Sequence, residues 1–364
     1  MSSRLHQLSA FGQSVWIDYL SRDLIESGAL VKAIAEDAVV GVTSNPSIFD
    51  EALAHGHAYD EQIAATDTDA NGVFLALAMR DVATACDVLQ PVWERTGARD
   101  GYVSIEVDPS LADDTVATIA QATHFHTTIA RPNLMVKIPA TDAGVPAIEE
   151  MTARGYAINV TLIFSLSRHR QVAEAYLRGL ERLVATGGDP SRIHSVASFF
   201  VSRVDTETDR RLVQVGRDDL KSRLGIANAR LAYQQYKSLF HGEHWDALAA
   251  RGATAQRCLW ASTSVKDPSL RDTLYVEELI GAETISTMPE KTIRAFQDHG
   301  RVEARLEAEL DAARSLLDEL AAVGVDYDDV TITLEREGIE KFVASLDEVL
   351  QRVDEKRRHV TAPP

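Results

Sequence analysis

The chain has 364 residues, 45% hydrophobic and 25% charged, with 37 Lys and Arg against 55 Asp and Glu, a net charge of −18. This is ordinary globular composition with ample length for a core, and its acidic field disfavours nucleic acid and anionic membrane as partners. No apolar run approaches the ~20 residues of a membrane helix, residues 1–14 lack the apolar core of a secretory signal, and two cysteines, Cys86 and Cys258, cannot form a disulfide framework, so a cytoplasmic location is expected.

In chain order, short runs rich in Val, Ile, Phe and Trp alternate with amphipathic segments. Strands are predicted over 14–20, 39–44, 102–107, 134–139, 157–164, 194–202, 257–262 and 284–288. Helices are predicted over 71–93 and over 168–186, the latter closed by Gly187 and Gly188 with Pro190 beyond. Further helices are expected around 220–248, over 301–323 and over 338–357, with a tail, 359–364, expected to be disordered. Eight strands alternating with helices predict a parallel sheet, and eight closes a (β/α)₈ TIM barrel. The fold expected is therefore one such barrel over 1–364, with additional N-terminal, inserted and C-terminal helices, those at about 301–358 packed on it. An open doubly wound sheet is the rival, weakened by the lack of a G-x-G-x-x-G turn after the first strand.

Side chains alternate along a strand. In 14–20 one face carries Val15, Ile17 and Tyr19, the other Ser14, Trp16 and Asp18. In 102–107 Glu106 lies opposite Val103, Ile105 and Val107. In 134–139 Lys137 lies opposite Leu134, Val136 and Ile138, and in 157–164 Asn159, Thr161 and Ile163 lie opposite Ile158, Val160 and Leu162. If the aliphatic faces pack on the helices, Asp18, Glu106, Lys137, Asn159 and Thr161 point into one lumen, toward the end where barrel enzymes work. Taken singly, a carboxylate at a strand end is solvated or caps a helix. A lysine in a central strand is less easily dismissed, because burial favours its neutral, nucleophilic form, which adds to carbonyls. Carboxylates beside it can move the protons that Schiff-base chemistry requires. The histidines of His55-x-His57, His124-x-His126 and His241-x-x-His244 lack a matching ligand set and read as surface residues. Cys86 and Cys258 read as small core residues.

At this point the sequence resembles a known family. Gly41-Val42-Thr43-Ser44-Asn45-Pro46-Ser47-Ile48-Phe49 looks like the N-terminal transaldolase motif, and 134–144, containing Lys137, resembles the family's second motif. Ile158–Ser165, with Asn159 and Thr161, resembles the next strand, and Asp18 and Glu106 fall in the expected order. The length and the 260–266 segment are most similar to transaldolases of the actinobacterial type. The resemblance implies transfer of a dihydroxyacetone unit from sedoheptulose 7-phosphate to glyceraldehyde 3-phosphate, giving erythrose 4-phosphate and fructose 6-phosphate in the pentose phosphate pathway. It implies no metal or other cofactor, and a monomer or homodimer. It makes Lys137 the Schiff-base residue, Asp18 the base for carbon–carbon cleavage, and Glu106 the acid/base acting through a water with Thr161. Asn45 and Asn159 resemble the residues that bind hydroxyls of the three-carbon unit. Ser198, Phe200 and Arg203 resemble substrate binders, although 198–203 departs from the usual S-P-F-V-G-R at Phe199 and Ser202. The family's Arg after strand seven is missing, and Lys266 is the cation expected in its place. The alternatives are an aldolase of the same superfamily that releases free dihydroxyacetone, against which the length and Glu106 speak, and a non-catalytic sugar-phosphate-binding barrel.

Overall fold

All eight predicted strands form. They are β1 (Gln13–Ile17), β2 (Val39–Val42), β3 (Tyr102–Glu106), β4 (Leu134–Pro139), β5 (Ile158–Ile163), β6 (Ser195–Phe200), β7 (Arg257–Ala261) and β8 (Thr284–Met288). Each pairs in parallel with its sequence neighbours, and β8 returns to β1 to close the barrel β1-β2-β3-β4-β5-β6-β7-β8. The structure, a computed structural model, describes residues 3–54 and 57–360.

Alternation sorts the side chains as the period-2 pattern requires. Val15, Ile17, Val103, Ile105, Val136, Ile138, Ile158 and Val160 are buried in one cluster with the surrounding helices. Trp16, Tyr102, Met135, Val196, Leu259 and Ile285 belong to a second cluster inside the barrel. Gly41 is required there, because a Cβ on it would lie 2.4 Å from the Trp16 indole. Beneath this layer Asp100 accepts hydrogen bonds from Ser14 Oγ (2.8 Å) and Trp16 Nε1 (3.2 Å) and pairs with Arg257 (3.0 Å). Apolar side chains and the Asp100–Arg257 pair occupy the lumen at this end, and the larger cavity opens at the C-terminal strand ends.

Five expectations need correction. β1 ends at Ile17, so Asp18 lies in the bend after it. In β5 the register breaks between Val160 and Ile163, and Leu162 has φ +58°. This irregularity inverts the alternation: Leu162 joins the inner cluster and Ile163 the outer one, the reverse of strict parity. Residues 301–309 are not helical, and the helix spans Leu310–Ala322. The amides of Arg305 and Leu306 both donate to the Ile280 carbonyl, and Leu306 is buried against Gly281, which holds this segment against the loop before β8. The last helix spans Tyr327–Val360, beginning well before 338, with Gly338 in its interior. His359, expected in the tail, is in that helix, while 361–364 lie outside the described residues.

This C-terminal helix runs across the mouth of the barrel. Arg352 grips Asp50 with two bonds (2.5 and 3.1 Å), Lys356 reaches Asp60 (3.0 Å), and Ser345 bonds Ser47 (2.8 Å). A Cβ on Gly338 would lie 3.1 Å from Leu162 Cδ2, so the lack of a side chain lets the helix backbone approach the strand ends.

Candidate active site

Three strands bring the central side chains into line. The register pairs Glu106 with Lys137, Lys137 with Asn159, and Pro139 with Thr161. Lys137 is 5% exposed. Its Nζ donates to the Ser44 carbonyl at 3.1 Å and lies 3.5 Å from Glu106 Oε2. Burial raises the pKa of Glu106; the Lys137 ammonium opposes this, and Asp18 adds to it. A carboxyl made more basic in this way, beside an amine, is suited to exchange protons with it. Thr161 is fully buried, and its Oγ1 has no hydrogen-bond partner among the described residues. A buried hydroxyl left so is costly unless something entering the site bonds it.

Asp18 stands across the opening. Thr43 Oγ1 donates to Asp18 Oδ1 at 2.6 Å, and Thr43 Oγ1 lies 2.8 Å from Thr287 Oγ1. The single Thr43 proton goes to the carboxylate, so Thr287 donates to Thr43. The Asp18 amide is fixed by the Met288 carbonyl at 2.9 Å. Asn45 Oδ1 accepts from the Ile48 amide at 3.2 Å, at the start of the helix Pro46–Ala54. Asn159 is fully buried, donating to Ser104 Oγ (3.0 Å) and accepting from Ser198 Oγ (2.7 Å).

These groups open into a cavity of about 790 Å³ at the C-terminal ends of the strands. Of the expected residues, Asp18, Asn45, Lys137, Thr161, Ser198, Phe200, Arg203 and Lys266 line it. Glu106 and Asn159 do not: Glu106 sits behind Lys137 against a small pocket lined by Phe49, Phe74 and Phe125, and Asn159 sits behind Ser198. Either acts on a ligand only through the residue or a water in front of it.

The outer part of the cavity is cationic. Arg203, in the first turn of the helix Ser202–Gln214, directly follows β6. Its guanidinium carbon lies 5.2 Å from the Phe200 ring centre and 5.7 Å from that of Phe342. Burial lowers its pKa, against the pull of Glu106 and Asp18. The nearby Asp205 and Glu207 are engaged elsewhere, Asp205 with the Gly225 amide and the Tyr275 hydroxyl, Glu207 with Arg210 and Arg211. Lys266 lies in the loop after β7 and donates to Ser264 Oγ at 2.9 Å, not to Asp267. The β6 and β7 loops are joined by a Ser202–Ser262 hydroxyl bond of 2.8 Å.

Several lining residues escaped the sequence reading. Thr43 lies inside the 41–49 motif, so that motif held a signal for it. Thr287 lies near the end of the least distinct strand. Lys341 and Phe342 come from the C-terminal helix, and nothing local in their sequence marks them. The histidine pairs do not converge: His126 stacks on Tyr156 and bonds the Ala157 carbonyl, His57 pairs with Asp60, His244 with Glu181, and His55 lies outside the described residues. Cys86 and Cys258 are buried and free, with thiol pKa values pushed up by burial.

A closed (β/α)₈ barrel with a buried lysine and two carboxylates at the C-terminal strand ends, under a cationic rim, has the arrangement of the lysine-dependent barrel enzymes that act on carbonyl groups. The sequence model of the Transaldolase/Fructose-6-phosphate aldolase family matches residues 15–353. A transaldolase of Mycolicibacterium paratuberculosis is 52% identical over 360 residues, covering 97% of this chain and 96% of that protein. Transaldolases of Acidothermus cellulolyticus and Thermobifida fusca are each 51% identical, over 97% of this chain and 96% and 98% of theirs. The chain belongs to the transaldolase/fructose-6-phosphate aldolase family, and it is an enzyme of the transferase class that moves aldehyde or ketone residues.

Proposed function

We propose that the chain is a transaldolase that moves a dihydroxyacetone unit from sedoheptulose 7-phosphate to glyceraldehyde 3-phosphate, through a Schiff base on Lys137, within the cytoplasmic pentose phosphate pathway. The observation that carries this reading is the Lys137 amine, buried, aimed by the Ser44 carbonyl and set 3.5 Å from Glu106 while open to the cavity. Glu106 takes a proton from the Lys137 ammonium, and the freed amine attacks the ketose C2 carbonyl, a nitrogen proton passing to the carbonyl oxygen to give the carbinolamine. Glu106 then gives its proton, through a water that Thr161 orients, to the carbinolamine hydroxyl, which leaves as water and gives the iminium. Asp18 then takes the C4 hydroxyl proton as the C3–C4 bond breaks. The electron pair moves into the iminium to give an enamine, and the aldose phosphate leaves. The acceptor aldehyde enters, and the steps run backward. Asn45 and Ser198, with Asn159 behind, hold the hydroxyls of the three-carbon unit, Phe200 packs beside them, and Arg203 with Lys266 hold the phosphate. The iminium is the electron sink, so the reaction as written uses no metal or other cofactor.

Borohydride added with fructose 6-phosphate should fix a three-carbon adduct on the peptide containing Lys137, and Lys137→Arg should be inactive because guanidinium stays protonated. An adduct on Lys266 or Lys291 would sink the reading. Erythrose 4-phosphate should form from sedoheptulose 7-phosphate only when glyceraldehyde 3-phosphate is present. Steady release of dihydroxyacetone without acceptor would instead mark an aldolase.

A further inference from the structure

We propose that Lys341 of the C-terminal helix is a third cationic ligand of the substrate phosphate, so that the phosphate joins the barrel to this helix and the helix sets the preference for phosphorylated sugars; this rests on the functional reading above.

Lys341 lines the same cavity as Arg203 and Lys266. Its neighbour Phe342 lies under the Arg203 guanidinium, which fixes this turn of the helix against the β6 loop. Burial lowers the pKa of Lys266, and the like charges of Lys341, Arg203 and Lys291 lower it further. Among the described residues, no Asp or Glu oxygen pairs with Arg203, Lys266 or Lys341, although the chain carries 55 such residues. Other basic residues of this helix are matched, Arg336 with Glu340, Arg352 with Asp50 and Lys356 with Asp60. In a chain of net charge −18, three unmatched cations on one rim are mutually repulsive and costly unless a multiply charged anion joins them. A phosphate dianion has oxygens enough for all three: a fork from Arg203 and single contacts from Lys266 and Lys341. Arg203 and Lys266 stand on the barrel and Lys341 on the helix, so binding draws the helix onto the strand ends, where Gly338 already lets it lie close.

The test measures binding of inorganic phosphate directly, by titration calorimetry, on wild type and on Lys341→Gln, Lys341→Glu and Lys341→Arg. A charged hydrogen bond of ~1.5 kcal/mol corresponds to about tenfold in affinity. Lys341→Gln should therefore weaken phosphate about tenfold, Lys341→Glu more, and Lys341→Arg should restore most of the affinity. The KM for erythrose 4-phosphate should rise in parallel, far more than that for unphosphorylated erythrose. Inorganic phosphate should also slow amide exchange over 327–345 in wild type and not in Lys341→Glu. Unchanged phosphate affinity in both Gln and Glu variants overturns the proposal and leaves the transaldolase reading intact. Lys341-dependent phosphate binding in a protein that traps no adduct on Lys137 would support the site and remove the reading.

Discussion

Arg203→Ala should convert a phosphate-selective enzyme into one with little preference for phosphorylated acceptors. The guanidinium sits between two aromatic faces, its carbon 5.2 Å from the Phe200 ring centre and 5.7 Å from that of Phe342, with no carboxylate paired to it among the described residues. Two phosphate hydrogen bonds to this desolvated charge are worth ~1.5–3 kcal/mol each, or ~3–6 kcal/mol together. At 1.4 kcal/mol per tenfold, kcat/KM for erythrose 4-phosphate should fall ~10²–10⁴-fold. Unphosphorylated erythrose meets none of these bonds and should lose only what the altered Phe200 and Phe342 packing costs, less than ~10-fold. Arg203→Lys keeps the charge but not the fork, and should recover part of the loss. Arg203 also pulls down the pKa of Glu106, so the acid limb of the imine-formation profile should move to higher pH in Arg203→Ala. Steady-state kinetics with both acceptors, with Tm measured alongside, read all of this. Equal losses for the two acceptors would show that Arg203 serves the fold or the bond chemistry and does not bind phosphate.

The two carboxylates should separate kinetically. Asp18→Ala should still load a borohydride-trappable imine with the full ketose but not cleave it, and Glu106→Gln should load the imine ~10²–10⁴-fold more slowly; wild-type loading rates in both would refute the assignment. Asp205, fully buried beside the Gly225 amide and the Tyr275 hydroxyl, has its pKa raised by burial from 3.8 to about 7. The folded state then binds the extra proton, so this group's contribution to stability is full below pH 4 and is lost as pH rises through 7, by at most ~4 kcal/mol at 1.36 kcal/mol per pH unit. Denaturation of Asp205→Asn across pH 4 to 8 should show a stability difference from wild type that shifts toward the variant as pH rises, and a flat difference would contradict the assignment. Gly338→Ala would add ~1 kcal/mol in an open helix, but its Cβ would stand 3.1 Å from Leu162, so no gain in Tm is expected; the full gain would mean that the helix is not seated there.

The sequence by itself determined the barrel and its central row. Strand alternation and the strand–helix rhythm are local properties, so β3 and β4 carried Glu106 and Lys137 inward at positions readable from parity alone. The 41–49 and 134–144 motifs added the loop that aims the amine. Parity failed at Leu162 and Ile163, because the register against β6 breaks there, with a positive φ at Leu162, and nothing in the residue types marks the break. The hydrophobic period over 301–323 read as one helix, yet its first turns follow the Ile280 carbonyl and Gly281, contacts made more than twenty residues away in sequence. Parity puts Asn159 and Glu106 on the inward face of their strands, but which layer faces the ligand depends on whether Ser198 and Lys137 stand in front, a matter of packing. The cationic rim was legible only in part. Arg203 and Lys266 follow their strands, whereas Lys341 reaches the cavity on a helix docked through Arg352–Asp50 and Lys356–Asp60. Periodicity marks which face of that helix is buried; only the folded chain decides what that face covers, because the partners that fix it lie nearly three hundred residues away along the chain.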